Sequence, residues 1–321
     1  MTFKPILIVC GEPNSIFLEI FFKIIKYKKF KTPIILICSY NVLKLQMNHF
    51  NFRKKINLID QFNLKYEKLN NDRINLINVD YHVTKPFENI SVKSKKYIAN
   101  CFLTAIKIIN KGYTNKLING PVSKKHFLNK KFPGVTEYLS HISKSKPTGM
   151  LIFNKQLSVC PITTHYPINS IAKKISKKLI IEKIILINNF YIENFDFKPS
   201  IGITGLNPHC ETTKKYDEDE KIIRPSVKFL KRKKINISGP YPADTIFMKR
   251  NRINFDVIVG MYHDQVLTPV KTLFEYDAIN ITMGLPYIRI SPDHGPNEQM
   301  IGLNKSNPTS LLKSIEFLDK R

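Results

Sequence analysis

The chain has 321 residues, 43% of them apolar, and this length and composition fit one or two globular domains with substantial cores. Its formal net charge of +26 raises nucleic acid and anionic membranes as possible partner classes. Arginine supplies only 8 of the 51 basic residues, and the lysines are spread along the whole chain. Because phosphate and base recognition favours arginine, we interpret the charge as a compositional bias and expect neither a nucleic-acid nor a membrane partner.

Cysteine usage and the N-terminus indicate a compartment. The five cysteines are odd in number and form no Cys-x-x-Cys pair, which is typical of a protein in a reducing cytoplasm. The chain leads directly into an apolar run from Pro5 to Val9, without the pattern of a signal peptide or a membrane span. We therefore expect a cytoplasmic protein.

The first fifty residues alternate between strand and helix signals. Ile6–Val9 is a predicted strand, Gly11–Pro13 a turn and Ile16–Tyr27 a helix, followed by a strand at Ile34–Cys38 and a helix at Val42–Phe50. This β-α-β-α order predicts a parallel sheet covered by helices.

The next segment carries weaker signals until about residue 90. We interpret residues 53–80 as an elaboration of the first domain with a short antiparallel excursion. Apolar positions between Ser91 and Lys111 recur at helical spacing, and Lys116–Pro121 reads as a strand that ends in a tight turn. The run from Gly134 to Glu137 is typical of a helix N-terminus, with Thr136 as a possible cap.

Three histidines each follow a predicted strand. His165 ends the run that begins at Val159, His209 follows the strand that ends at Gly205, and His263 follows the strand Phe255–Gly260. In open α/β sheets, ligands collect beyond the carboxyl ends of the strands. Neutral imidazoles suit Zn and similar ions, and three protein ligands with open positions is the catalytic pattern. We therefore predict a metal site formed by these three residues.

Further polar residues follow His263 at predicted loop and strand-edge positions. Lys271, Asn280 and Arg289 lie there, and their convergence suits the binding of a multiply charged anion near the metal. Asp244 closes a proline-rich turn that begins at Ser238, where it is either a helix cap or a carboxylate that orients a ligand or relays a proton. Helices are expected at Ile222–Lys231 and Ser310–Leu318.

These motifs together resemble a known family. The runs Gly11–Pro13, Asn119–Lys124, Gly134–Leu139, Ser238–Thr245, Met261–Gln265, Ile279–Arg289 and Ser291–Gly295 are similar, in the same order, to 4-hydroxythreonine-4-phosphate dehydrogenases, the metal-dependent NAD enzymes of pyridoxal 5′-phosphate biosynthesis. The resemblance implies an α/β fold of the isocitrate/isopropylmalate dehydrogenase-like class, with two α/β/α lobes and a cleft between them. The first lobe would comprise residues 1–134 and 290–321, and the second residues 135–289, with the metal ligands and dimer contacts.

The resemblance also implies a reaction and a set of site residues. NAD, or alternatively NADP, would oxidise 4-phosphooxy-L-threonine to 2-amino-3-oxo-4-phosphooxybutanoate, which loses CO2 to give 3-amino-2-oxopropyl phosphate. His165, His209 and His263 match the ligands of one divalent ion (Zn, Co or Mg). Thr136, Lys271, Asn280 and Arg289 match substrate-binding positions, while Asp244 and Lys271 are candidates for catalysis. The family is a homodimer with shared active sites.

The sequence departs from the family's pattern in four places. The first is the segment Asn14–Phe17, which stands where the family has a Gly-rich turn. Val135 stands where the family has a substrate-contacting histidine, and the loop after His209 is one small residue shorter. The segment 296–302 differs from the family, and no Gly-x-Gly-x-x-Gly motif occurs, so no residue is assigned to NAD. Two alternatives stay open: a dehydrogenase of another phosphorylated hydroxy acid, such as a four-carbon sugar-acid phosphate, and a basic nucleic-acid-binding protein.

Overall fold

The elements described below come from a computed structural model that describes residues 4–129, 131–212, 217–292 and 294–319. The strands are β1 (Ile6–Val9), β2 (Ile34–Cys38), β3 (Ile56–Leu58), β4 (Ile74–Asn78), β5 (Lys116–Asn119), β6 (Gly149–Phe153), β7 (Ser158–Thr163), β8 (Ile201–Thr204), β9 (Ile237–Tyr241), β10 (Val257–Tyr262), β11 (Ile279–Met283) and β12 (Ile288–Pro292). The α-helices are α1 (Phe17–Tyr27), α2 (Tyr40–His49), α3 (Lys95–Asn110), α4 (Val135–Ile142), α5 (Ile171–Lys174), α6 (Lys177–Phe195), α7 (Arg224–Arg232), α8 (Ala243–Ile246), α9 (Lys249–Arg252), α10 (His263–Phe274) and α11 (Thr309–Asp319).

The chain forms two compact units. Unit 1 comprises Met1–Lys144 and Leu285–Arg321, and unit 2 comprises Ser145–Gly284. The predicted boundaries, at 134/135 and 289/290, divide the chain differently and assign α4 to the second lobe. In the structure α4 belongs to unit 1, because Tyr138 packs its ring edge against Phe127 at 5.1 Å and Thr136 contacts Arg289.

The sheet of unit 1 is parallel, in the order β3-β4-β2-β1-β5-β12. The predicted antiparallel excursion in residues 53–80 is therefore wrong, since β3 and β4 extend the parallel sheet at its edge. Asn75 helps to fix this pairing, because its side-chain amide donates to the backbone oxygens of Ile34 and Asn70 at 3.0 and 2.8 Å. The α/β class predicted from the alternating elements is confirmed.

Apolar runs build the core of unit 1. All four residues of β1 and all five of β2 are buried, as expected for strands covered on both faces. The helical spacing seen between Ser91 and Lys111 corresponds to α3, which buries Tyr97, Ile98, Cys101, Phe102, Ala105, Ile106, Ile108 and Ile109. The five cysteines are all buried and reduced.

The sheet of unit 2 is mixed, in the order β11-β6-β7-β10-β8-β9. β6 runs antiparallel to both β11 and β7, whereas β7, β10, β8 and β9 run parallel to one another. The sequence interpretation did not identify β6, β9 or the long helix α6. A cluster of buried residues that includes Ile152, Val159, Ile258 and Val266 forms the core behind the parallel strands.

None of the helices in the described ranges has both the length and the apolar content needed to cross a bilayer.

Candidate active site

The three predicted metal ligands lie at one edge of the unit 2 sheet. β10 pairs in parallel with β7 on one side and with β8 on the other, so the carboxyl ends of the three strands are neighbours. His165 follows β7, His263 follows β10 and His209 follows β8. The sequence placed each histidine after a strand, and the topology adds that these strands are adjacent.

Two of the three imidazoles are close together. The ring centres of His165 and His263 are 6.3 Å apart. Nδ1 of His263 lies 2.6 Å from the carboxylate Oδ1 of the next residue, Asp264. The His263 side chain keeps 38% of its surface exposed. His263 is the first residue of α10, because the strand continues to Tyr262 and the helix starts directly after it.

Gln265 ties the ends of β8 and β10 together. Its side-chain oxygen accepts hydrogen bonds from the backbone N–H of Met261 at 2.7 Å and from the hydroxyl of Thr204 at 2.8 Å. Its amide donates to the backbone oxygen of Gly205 at 2.8 Å. One side chain therefore holds the turn before His263 against the strand that leads to His209.

Asp219 shapes the loop that carries His209. This carboxylate is fully buried and accepts from the backbone N–H groups of Leu206 and Asn207 at 2.9 and 3.0 Å. It also lies so close to Gly205 that a Cβ there would be 2.6 Å from Oδ1, so only glycine fits. The start of the His209 loop is thus fixed by a residue further along the chain.

His209 itself sits in a strained turn. His209 and the buried Cys210 both have positive φ angles, 58° and 64°, which L-residues rarely adopt. Burial raises the pKa of the Cys210 thiol, and the negative charges of Asp219 and Asp244 add to the rise. Asp244, in the first turn of α8, therefore lies close enough to the His209–Cys210 turn to act on it electrostatically.

The donor types at this edge fit a divalent ion. Imidazole nitrogens are ligands for Zn and Co, and the exposed or half-exposed side chains leave room for an ion. Within the described residues, however, no group of three His, Cys, Asp or Glu side chains is gathered closely enough to hold one. The chain brings His165 and His263 together and leaves His209 on the neighbouring strand end.

Arg289 is the centre of a second group of polar residues, in unit 1. It lies in β12 with 2% of its surface exposed, and its Nε donates to the side-chain oxygen of Asn119 at 2.7 Å. Its Nη1 donates to the hydroxyl of Thr136 at 3.4 Å. Burial lowers the pKa of the guanidinium to about 10, while Tyr287 and Glu137 oppose this shift. The guanidinium therefore stays charged at neutral pH in a site with little water.

The residues on either side of Thr136 complete this group. Gly134 caps α4 without a side-chain hydrogen bond, so Thr136 is not the cap and its hydroxyl faces Arg289. Val135, at the first position of the helix, is partly exposed and adds no hydrogen-bond donor. The structure thus brings the predicted residues Thr136 and Arg289 into contact.

Lys271 and Asn280 lie in regular elements of unit 2. Lys271 is in the last turn of α10, where burial lowers the pKa of its amine. Asn280 is inside β11, with its amide nitrogen 3.4 Å from the sulfur of Met150, and its Oδ1 is buried without a partner among the described residues. The predicted loop and strand-edge positions are wrong for both residues.

The sequence interpretation assigned no role to Asn119, Gln265 or Asp219. Asn119 and Gln265 lay within motifs that were identified, so a polar residue beside a candidate ligand was the available signal. Asp219 lay in a charge-mixed segment, and no sequence pattern distinguishes it from its exposed neighbours.

Comparison with known proteins shows the family. The family model described as "Pyridoxal phosphate biosynthetic protein PdxA" matches residues 29–318. This chain belongs to the PdxA family. A 4-hydroxythreonine-4-phosphate dehydrogenase from Sulfurihydrogenibium sp. is 35% identical, over 97% of this chain and 96% of the relative. A D-threonate 4-phosphate dehydrogenase from Pectobacterium atrosepticum is 32% identical, over 68% of each chain.

Solved structures agree with this PdxA assignment. The crystal structure of 4-hydroxythreonine-4-phosphate dehydrogenase from Klebsiella pneumoniae superposes with a TM-score of 0.85 at 27% identity, covering 98% of this chain and 97% of that one. Similarity therefore extends over both units of this PdxA-family chain, including both groups of polar residues.

Proposed function

We propose that this chain is an NAD-dependent and divalent-metal-dependent dehydrogenase that oxidises the C3 hydroxyl of 4-phosphooxy-L-threonine in pyridoxal 5′-phosphate biosynthesis. The product, 2-amino-3-oxo-4-phosphooxybutanoate, loses CO2 to give 3-amino-2-oxopropyl phosphate. The main support for the proposal is the similarity to a 4-hydroxythreonine-4-phosphate dehydrogenase that is 35% identical over 97% of this chain. NADP as the oxidant is the alternative within the same reaction.

The residues of the chain supply binding and proton transfer in this proposal. Arg289, held by Asn119 and Thr136, presents a preorganised fork of N–H donors to an anionic group of the substrate. Lys271, whose pKa is lowered by burial, gives up its proton more readily than a solvated lysine, and the neutral amine can then act as a base. Asn280 offers its unpartnered side-chain oxygen to a donor, and Asp244 is the candidate carboxylate beside the His209 turn.

His165, His209 and His263 would hold the metal ion, and we assign no residue to NAD. A bound divalent ion (Zn, Co or Mg) supplies a Lewis acid that lowers the pKa of the reacting hydroxyl, while NAD accepts the hydride. We further propose a homodimer with shared active sites. The homodimer, like the metal site, rests on the resemblance of the chain to the family.

The direct test is an assay of NADH production from 4-phosphooxy-L-threonine by the purified protein. We expect activity that a chelator abolishes and that an added divalent ion restores. Absence of NADH formation with every metal tested, from a protein that is folded and dimeric, would contradict the proposed reaction.

A second candidate substrate is a phosphorylated hydroxy acid. Two observations favour it: the relative named D-threonate 4-phosphate dehydrogenase, and Val135 at the position where the family has a substrate-contacting histidine. The substitution Val135→His separates the two substrates. If 4-phosphooxy-L-threonine is native, the added donor should lower its KM by about 5- to 150-fold, the equivalent of one hydrogen bond of 1 to 3 kcal/mol.

Val135→Leu provides the matched control, because it changes size without adding a donor. Both variants should be assayed on both substrates. If Val135→His impairs 4-phosphooxy-L-threonine turnover and the wild type prefers threonate 4-phosphate, the hydroxy acid is the substrate and the first assignment is wrong.

A further inference from the structure

A cavity of about 330 Å³ opens in unit 1 and shares no residue with the two groups of polar residues described above. Ile34 and Ile74, the first residues of β2 and β4, line it, so it lies at the amino ends of these parallel strands. Asn119, which binds Arg289, is instead the last residue of β5, at the carboxyl end of the same sheet. The cavity is therefore separate from the Arg289 group, and its volume is within the range of small-molecule sites.

The cavity combines an apolar wall with a fixed rim. Asn71 holds the rim, because its amide donates to the backbone oxygens of Phe30 and Thr32 at 2.9 and 2.8 Å. Its side-chain oxygen accepts from the backbone N–H of Ile34 at 2.9 Å. The wall is thus formed before any ligand arrives, and its apolar residues are Phe21, Ile25, Phe30, Ile34, Leu36 and Ile74.

Lysines contribute positive charge to the same cavity. Lys26, Lys28, Lys29 and Lys54 line it. Lys28 is paired with Glu316 at 3.0 Å, whereas the ion pairs among the described residues do not include Lys29 or Lys54. Lys29 is exposed and Lys54 is half-buried. Unpaired cations beside an apolar wall favour a ligand that has both an apolar body and an anionic group.

Lys54 has the surroundings of a lysine that reacts with aldehydes. Burial lowers the pKa of its amine, while Asp72 opposes this shift and Lys29 adds to it. Lysines that form imines are activated in the same two ways, by desolvation beside apolar surface and by a neighbouring cation. Asp72 also lines the cavity, and its carboxylate can transfer the protons that imine formation requires.

We propose that Lys54 is a reversible covalent site for an aromatic aldehyde that carries a phosphate. The neutral amine donates its electron pair to the aldehyde carbon, and the two N–H protons leave with the aldehyde oxygen as water. A C=N bond replaces the C=O bond, so the step needs no oxidant or reductant. The ring lies on the apolar wall, and the phosphate accepts a hydrogen bond from Lys29. Pyridoxal 5′-phosphate, the end product of the pathway to which the PdxA family belongs, has this chemistry.

Trapping of the imine tests this inference on the full chain. The protein is incubated with an equimolar amount of pyridoxal 5′-phosphate, the imine is reduced with borohydride, and the labelled lysines are located by peptide mass spectrometry. Lys55 is the matched internal control, because it is adjacent in sequence and exposed but does not line the cavity. We expect Lys54 to be labelled at least about ten-fold more than Lys55, the equivalent of one charge-assisted hydrogen bond to the phosphate.

Pyridoxal, which lacks the phosphate, tests whether the anionic group is recognised. Its preference for Lys54 over Lys55 should be about ten-fold smaller than that of pyridoxal 5′-phosphate, because the hydrogen bond from Lys29 is lost. Lys29→Gln should accordingly reduce labelling of Lys54 by pyridoxal 5′-phosphate more than labelling by pyridoxal.

Lys54→Arg provides a second measurement, because arginine keeps the positive charge but forms no such imine. This variant should lose the visible absorbance of the imine with an unchanged thermal midpoint, whereas Lys55→Arg should keep the absorbance. Equal labelling of Lys54 and Lys55 in the wild type overturns the inference, and this result needs no variant to fold. An equal preference for Lys54 with pyridoxal and pyridoxal 5′-phosphate also overturns it, because the phosphate is then not recognised.

This inference goes beyond the proposed function, and the two fail separately. If Lys54 is labelled preferentially but the protein forms no NADH, the covalent site stands and the reaction is wrong. If NADH forms and Lys54 is labelled no more than Lys55, the reaction stands and the covalent site is wrong.

Discussion

The two groups of polar residues are built in opposite ways. In unit 1 the candidate binding residue is itself held in place: Arg289 is buried, and its guanidinium donates hydrogen bonds to Asn119 and Thr136. In unit 2 the candidate ligands His165 and His209 are exposed, and the fixed elements are the side chains behind them, Gln265 and Asp219.

This difference follows from what each group would bind. An anion held by hydrogen bonds requires donors with a defined direction, and burial strengthens those bonds by excluding water. A metal ion imposes its own geometry on its ligands once it is bound, so the chain needs only to bring the ligand-bearing loops to one edge. Substitutions should therefore affect substrate affinity in unit 1 and metal content in unit 2.

The largest effect should come from removing a metal ligand. Replacement of His165, His209 or His263 by alanine should reduce both metal content and NADH formation by at least about 100-fold, more than the loss of a residue that only supports a ligand. Metal content by atomic emission and activity should be measured on the same samples. His82→Ala, at an exposed histidine of unit 1, is the control. Full metal occupancy in all three variants would show that these histidines are not the metal ligands.

The next largest effect should come from Arg289→Lys. Lysine keeps the charge but loses the planar fork, so it cannot donate to Asn119 and to the substrate with the same geometry. We expect kcat/KM to fall by about 10- to 100-fold, mainly through KM, with metal content unchanged. Arg73→Lys, on the exposed surface, is the control. Loss of metal in Arg289→Lys would contradict the separation of roles between the two groups.

Gln265→Leu should have a smaller, mixed effect. It leaves Met261 N–H, the Thr204 hydroxyl and the Gly205 oxygen without their partner, at a cost of about 1 to 3 kcal/mol in the free energy of unfolding. Metal affinity should also fall, by about 10-fold, because the strand ends that carry His263 and His209 are no longer held together. Gln265→Glu keeps the accepting oxygen and loses the amide donor, so it tests whether the two accepted hydrogen bonds alone maintain metal affinity. Unchanged metal affinity in both variants would show that Gln265 supports only the fold.

The sequence predicted the strands that carry the site more reliably than their surroundings. β1, β2, β8 and β10 are short apolar runs that are buried and bounded by polar or glycine residues, so burial alone makes them recognisable. β3 and β4 were given the wrong direction because strand direction depends on pairing between segments that are distant in sequence: β4 pairs with β2, and β3 pairs in turn with β4. The helix that starts at His263 was not predicted, because it contains Pro269 and proline usually interrupts helices.

The candidate site was predictable as a set of ligand types but not as a geometry. Each histidine could be placed after a strand, since this needs only local patterning. The position of His209 depends on Asp219, ten residues further along the chain, and on two consecutive positive φ angles that no local propensity favours. The role of Asn119 could not be predicted from local sequence either. Its hydrogen bond with Arg289 forms only because β5 and β12 pair in the folded chain.

The smallest predicted effect concerns the pH dependence of stability through His294, in unit 1. Burial lowers the pKa of His294, although a contact between its Nδ1 and the Gly295 oxygen at 3.1 Å opposes this, and its Nε2 is buried without a partner among the described residues. The unfolded chain binds a proton near pH 6.5 whereas the folded chain does so only at lower pH. The stability from neutral His294 is therefore complete above about pH 6.5 and is lost as pH falls through the folded pKa. In that window the free energy of unfolding changes by at most about 1.4 kcal/mol per pH unit.

His294→Asn should flatten the pH dependence of the thermal midpoint between about pH 7.5 and 5.5, whereas His82→Asn, at an exposed histidine, should not. Equal slopes in wild type and His294→Asn would show that His294 does not titrate with folding.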